Sequence, residues 1–219
     1  MNDRASAPGG LALVQALVNT LDIESGADSL DTPEGLARFG LAADEAAGAR
    51  ELRESLRAVC LAHAGHPAHR KVTPLGELLA HAPLVVALDE DGGAARLVPA
   101  VGGTSTSPAP GPAAPAPLAH RVAASIAESL IEGTWPRLKA CEAPTCHWVY
   151  FDRSPAGRGR WCSMAVCGAR AKMRRYRARR PEAAVDPAGG GAGSRTQSGG
   201  LRSPHSEVVQ NATGAGPAD

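Results

Sequence analysis

The chain has 219 residues and a formal net charge of +1, with 43% hydrophobic residues, 25 Gly, 18 Pro and only seven aromatics. No apolar run reaches membrane-spanning length, and the stretch from Leu11 to Val18 is too short and too interrupted to read as a secretory signal. That excludes a membrane partner and fits a cytoplasmic protein, whose reducing surroundings keep its five cysteines as thiols.

Residues 1–9 are expected to be flexible. Leu11, Val14, Leu17, Val18 and Leu21 then recur at helical spacing. Thr32-Pro33-Glu34 is a helix start, with a Thr cap and Pro in the first turn. Asp44 is positioned to cap a longer helix whose apolar face is Leu52, Leu56, Val59 and Cys60. Cys60 reads as a buried thiol. His63, His66 and His69 follow at a spacing that drifts around a helix, and Pro67 breaks it, so they read as a solvated helix end.

Thr73-Pro74 opens a short helix, and Leu84 to Leu88 is a strand. Asp89 to Gly93 is a turn, and Arg96 to Val98 is the returning strand. Residues 102–117 form a Pro/Ala-rich loop. Leu118, Val122, Ile126 and Leu130 mark another strong helix, ended by Gly133. Residues 10–134 therefore read as a mostly helical α+β domain with one β-hairpin. Asn19 and Thr20, at the end of the first helix, are candidates for lining a polar ligand pocket; a role in satisfying backbone groups is the alternative.

The strongest signal is Cys141, Cys146, Cys162 and Cys167: two C-x4-C pairs separated by fifteen residues. Thiolates suit Zn2+, and four of them fill its tetrahedron, so the site is structural and not catalytic. Between the pairs, His147 to Phe151 alternates as a strand, and a polar turn follows. Ser163 caps a helix running to about Arg180. This order gives a small treble-clef or ribbon-like zinc finger over residues 137–180. Val166, Ala169, Met173 and Tyr176 make an apolar stripe expected to pack on the hairpin.

The charge is divided unevenly. Residues 137–180 carry twelve Lys and Arg against Glu142 and Asp152, whereas residues 1–136 carry a balance of −7. Arg170, Lys172, Arg174, Arg175, Arg177, Arg179 and Arg180 crowd the last helix. Like charges at that density repel one another unless phosphates offset them, so the partner is a nucleic acid. Residues 181–219 are Gly-, Ala-, Ser- and Pro-rich and read as a disordered tail.

Cys141-Glu-Ala-Pro-Thr-Cys146, Phe151-Asp152-Arg153-Ser154, Arg160-Trp161-Cys162-Ser163 and Cys167-Gly168 together resemble the CGNR-type zinc finger. The name motif stands here as Cys167-Gly168-Ala169-Arg170, with Ala in place of the family Asn. In that family the finger follows an ABATE domain. Leu17-Val18-Asn19-Thr20, the Leu30-to-Leu36 segment and the Pro74-to-Leu84 segment resemble it.

The resemblance implies a bacterial, stress-induced transcription regulator. Its finger would bind DNA while its N-terminal domain senses an effector or forms a homodimer. RNA binding is the alternative of the same class. A small-molecule-binding or enzymatic N-terminal domain is the alternative of another class, although no nucleophile–base pair is visible and the chain is not expected to be an enzyme. A fragment ending near Gly133 is expected to stay soluble and to leave nucleic acid unbound.

Overall fold

The computed structural model describes residues 6–89, 91–100 and 116–179. The expectations for residues 1–5, for the loop at 101–115 and for the tail at 181–219 lie outside them. The architecture is α+β. Helix α1 spans Leu11–Val18, α2 Pro33–Ala37, α3 Ala46–His63, α4 Leu75–Leu78 and α5 Leu118–Ile131. Strands β1 (Leu84–Leu88) and β2 (Ala95–Pro99) form one antiparallel hairpin, in register Val86 to Leu97. Strands β3 (Leu138–Ala140) and β4 (Val149–Phe151) form a second, with Lys139 opposite Tyr150. Helix α6, Ala169–Arg179, closes the described chain.

Local chemistry accounts for several of these boundaries. The Thr32 hydroxyl accepts the Gly35 N–H at 3.1 Å, with Pro33 in the first turn, as the sequence suggests. Asp44 does not cap α3. It lies inside a single 3-10 turn, Ala43–Glu45, and the Glu45 carboxylate accepts the Ala42 N–H at 2.8 Å instead. A tighter turn ahead of the helix takes over the capping role that Asp44 was expected to fill. Gly133 ends α5 with φ +68°, the left-handed conformation that favours glycine.

The core is built from α1, α3 and α5, through Leu11, Val14, Leu17, Val18, Leu56, Cys60, Leu61 and Val122. It does not stop at Gly133. Trp135, Leu138, Ala140 and Val149 belong to the same cluster, and Phe151 packs against it. Leu138, Ala140 and Val149 have no exposed surface. Burial also pushes the Cys60 thiol up to about 12, so it remains protonated. Two of the three histidines, His63 at the end of α3 and His69 beyond it, do more than end a helix in water. His63 donates from Nδ1 to the Leu138 carbonyl at 2.8 Å and meets Trp135 edge to face, with centroids 5.0 Å apart. His69 bonds Glu54 at 3.0 Å.

Polar groups lock the same junction. Arg57 on α3 is wholly buried. Its guanidinium donates to the Val18 carbonyl at 2.8 Å, to Leu21 at 3.4 Å and to His147 at 3.0 Å. Its Nε bonds Glu54 at 3.2 Å. Glu54 also takes Arg53 Nε at 2.8 Å, and Arg53 reaches Asp28 at 2.7 Å. Burial would raise the Glu54 carboxyl, but Arg57 and Arg53 hold it below its usual range. One planar fork therefore ties the end of α1 to the loop entering β4.

Removing one member of a buried charge network leaves the others uncompensated. Arg57→Met is expected to cost about 3–5 kcal/mol in urea unfolding. Arg57→Lys should restore little, because an ammonium cannot reproduce the fork. A double change, Arg57→Met with Glu54→Gln, should recover part of the loss. A fragment ending at Gly133 would uncover the core positions that β3 and β4 fill. It is expected to lose cooperative unfolding in the same urea titration.

Candidate metal centre and basic helix

The four cysteines come together from two loops. Cys141 leaves β3, and its N–H donates to the Trp148 carbonyl at 2.9 Å, which closes the first knuckle. Glu142 N–H bonds the Arg160 carbonyl at 3.0 Å, which sets the second knuckle beside it. Cys162 precedes a wide turn, Met164–Gly168, that holds Cys167 ahead of α6, and Ser163 caps that turn by accepting the Val166 N–H at 3.3 Å.

All four sulfurs lie within 4.8 Å of one another. Cys146 and Cys162 are 3.7 Å apart, and Cys162 and Cys167 are 3.8 Å apart. Metal–sulfur bonds of about 2.3 Å in a tetrahedron require sulfur separations of about 3.8 Å. No pair is close enough to be a disulfide. Hydrogen bonds from the Cys146 and Cys162 thiols lower the Cys141 thiol, and the same contacts raise that of Cys162, so the sulfurs titrate as one cluster. The donor set and its geometry fit a closed metal-ion site.

A second polar centre braces the loop between the knuckles. Asp152 is buried and accepts Lys139 Nζ at 2.9 Å, Ser154 N–H at 3.0 Å and Gly159 N–H at 2.7 Å. Burial would raise its carboxyl, but these donors bring it down to about 2, so it is ionised at neutral pH. Gly159 is needed there: a Cβ would come within 2.7 Å of Asp152 Oδ1. Arg137 donates to the carbonyls of Asp152 and Ser154 at 3.1 and 2.9 Å. Arg160 pairs with Glu142. Charge counting marks Lys139, Arg137 and Arg160 as basic, but only the fold shows that they act inside the finger. The Asp152 centre carried no recognisable sequence signal beyond its place in the Phe151-Asp152-Arg153-Ser154 stretch.

The expected packing of Val166, Ala169, Met173 and Tyr176 on the hairpin does not occur. Ala171 is the buried residue of α6, while Met173 is 50% and Tyr176 58% exposed. Two causes are visible. The wide turn at Met164–Gly168 shifts the helical register. The hairpin's apolar residues, Leu138, Ala140 and Val149, are already spent on the N-terminal core. Helix α6 therefore presents cations around its surface.

Lys172, Arg174, Arg175, Arg177 and Arg179 are exposed and form no ion pair among the described residues. Arg180 lies outside those residues. Arg170 is set apart from this group. Its guanidinium pairs with Glu24 of the N-terminal segment, at 2.7 and 3.0 Å. Beside α6 runs a groove of about 590 Å³ floored by Trp161, Met164 and Tyr176 and rimmed by Lys172, Arg175 and Arg179.

Asn19 and Thr20 face the protein. The Asn19 amide donates to the Val149 carbonyl and accepts the Val149 N–H, both at 2.8 Å, so a side chain pairs with β4 as a neighbouring strand would. The Thr20 hydroxyl donates to Leu17 at 2.8 Å and accepts from Arg53 at 3.2 Å. Asn19 borders a recess of about 300 Å³ with Gln15, Arg38 and Trp148, but both ends of its amide are already engaged. Sequence periodicity carries no sign of a contact spanning 130 positions.

Asp152→Asn leaves Lys139 buried without a counter-charge. It is expected to destabilise the protein by about 3 kcal/mol at neutral pH. Combining it with Lys139→Met should return part of that loss in the same urea titration. Equal stability of wild type and Asp152→Asn would show that the centre does not brace the finger.

Among the described residues no helix is long and apolar enough to cross a membrane. No curated protein matches the chain. Residues 137–180 match the family model for the CGNR zinc finger. Residues 11–133, more than half of the chain, match the ABATE model, whose description is "Putative stress-induced transcription regulator". The chain thus belongs to the ABATE family and carries a CGNR zinc finger directly after its ABATE segment.

Proposed function

We propose that this protein is a cytoplasmic, bacterial-type transcription regulator that binds duplex DNA through α6, with one Zn2+ held by Cys141, Cys146, Cys162 and Cys167. The observation that carries the reading is α6 itself. Lys172, Arg174, Arg175, Arg177 and Arg179 stand exposed on eleven helical residues, with no ion pair among the described residues. Such a helix is about 16 Å long, and its width suits the B-DNA major groove. The deep, narrow major groove of A-form RNA does not admit one.

Arginine forks bind phosphate oxygens in pairs, and the released counterions make the affinity salt-dependent. Tyr176 and Met173, exposed between the cations, supply apolar contact to base edges or sugars. A closed four-thiolate ion leaves no position open for substrate, so its part is to hold both knuckles and the start of α6 in place. The chain's role on this reading is binding and not catalysis. Arg170 is a positioning residue: its pair with Glu24 ties the root of α6 to the N-terminal segment.

The groove beside α6 supports a second reading. Trp161 and Tyr176 under a cationic rim also suit an unpaired base, as in structured RNA.

Purified protein is expected to contain about one zinc ion per chain, and Cys162→Ser should lose it. Full zinc retention in that variant would refute the ligand set. Duplex DNA binding by the intact chain should show a log–log salt slope of about −4. Arg174→Ala with Arg177→Ala should weaken binding to all sequences and flatten the slope by about two units. A folded, zinc-loaded double variant with undiminished binding would exclude α6 as the interface. Stronger binding to looped RNA than to duplex DNA at matched salt would favour the second reading.

A further inference from the structure

Among the described residues the outer edge of the β1–β2 hairpin is open. The Asp89 N–H bonds the Ala94 carbonyl at 3.1 Å, and the Ala100 N–H bonds the Pro83 carbonyl at 2.9 Å. Antiparallel ladders alternate every second residue. Val85 and Ala87 therefore face β2, whereas Leu84, Val86 and Leu88 turn their N–H and C=O groups outward. Among the described residues none of these outward groups has a partner. The opposite edge of the hairpin differs, since β2 lies against α5 and ends in Pro99, which has no N–H.

The open edge is aliphatic and unprotected. Val86 is 65% exposed and Leu88 67%. The usual defences against edge pairing are absent, since β1 contains no Lys, Pro or bulge. Leu130 and Ile131 extend the apolar surface onto α5. Val86, Leu97 and Ile131 line one recess together with Arg96, Glu128 and Glu132. Arg96 and Glu128 form no ion pair among the described residues, although their charges are opposite.

We infer that the chain forms a two-fold homodimer in which β1 pairs antiparallel with β1 of a second copy. The edge is complementary to itself. With the axis at Val86, each Val86 meets its own counterpart, and Leu84 of one copy meets Leu88 of the other. Each such pair exchanges two hydrogen bonds, giving a continuous sheet in the order β2, β1, β1, β2. The recess beside the edge carries both signs of charge, Arg96 with Glu128 and Glu132, as a surface that meets its own copy requires. A closed two-fold contact uses up both open edges and so prevents further growth. The proposal does not depend on what α6 binds.

The test is the mass of the intact protein across concentration, by sedimentation equilibrium. The wild type is expected to be a dimer at tens of micromolar. Val86→Lys places a charge on the edge and should weaken dimerisation at least tenfold, with unchanged far-UV circular dichroism and metal content. Val86→Thr keeps the β-branched shape and should stay dimeric. A wild type that is monomeric at 100 micromolar would overturn the proposal, whether the edge is free or covered by residues 101–115. A Val86→Lys variant that dimerises as tightly as the wild type would also overturn it by placing the interface elsewhere.

Discussion

Arg57 has no exposed surface, and its donors are divided between carbonyls from two distant parts of the chain. Val18 ends the first helix, Leu21 lies just beyond it, and His147 follows Cys146. A charge taken this far out of water is tolerated only if it is paired and fully hydrogen-bonded. Glu54 supplies the counter-charge and also takes Arg53 and His69, and Arg53 in turn pairs with Asp28. The position of the first knuckle is thereby tied to the packing of α1 on α3. Asn19, the residue after Val18, repeats the connection by bonding both backbone groups of Val149.

This constraint gives the metal centre a wider role than holding a small appendage. The strand that enters Cys141 is part of the main core, and Val149 is buried in it with no exposed surface. Small zinc modules commonly depend on their ion because they lack a core. Here the hairpin leans on a core that already exists, and the ion's remaining task is to fix the second knuckle and the root of α6. Glu24, at the far end of the N-terminal segment, meets Arg170 at that root. That pair joins the root of α6 to the N-terminal segment, and the later cations of α6 form no ion pair among the described residues.

Local signals were legible in the sequence. The Thr32 cap, the β1–β2 hairpin, the end of α5 at Gly133 and the buried Cys60 all rest on chemistry within a few residues. The C-x4-C spacing identified the sulfur cluster for the same reason. What was not legible is what depends on distant partners. The apolar stripe of α6 was misread because its expected cover, the β3–β4 hairpin, turns toward α1 and α3. Nothing in the periodicity of α3 marks Arg57 and Glu54 as a buried pair. Lys139 and Arg137 were counted with a basic surface, although Asp152 and nearby carbonyls consume them.

The central claim is that metal, finger hairpin and N-terminal helices form one cooperative unit joined through Arg57, Asn19 and Val149. Amide hydrogen exchange on the intact protein, with and without a strong chelator, tests it most directly. The account predicts that metal removal reduces protection at Val149 and at the end of α1, near Val18 to Leu21, as well as in the knuckles. Loss of protection confined to residues 141–179, with α1 and α3 unchanged, would contradict it.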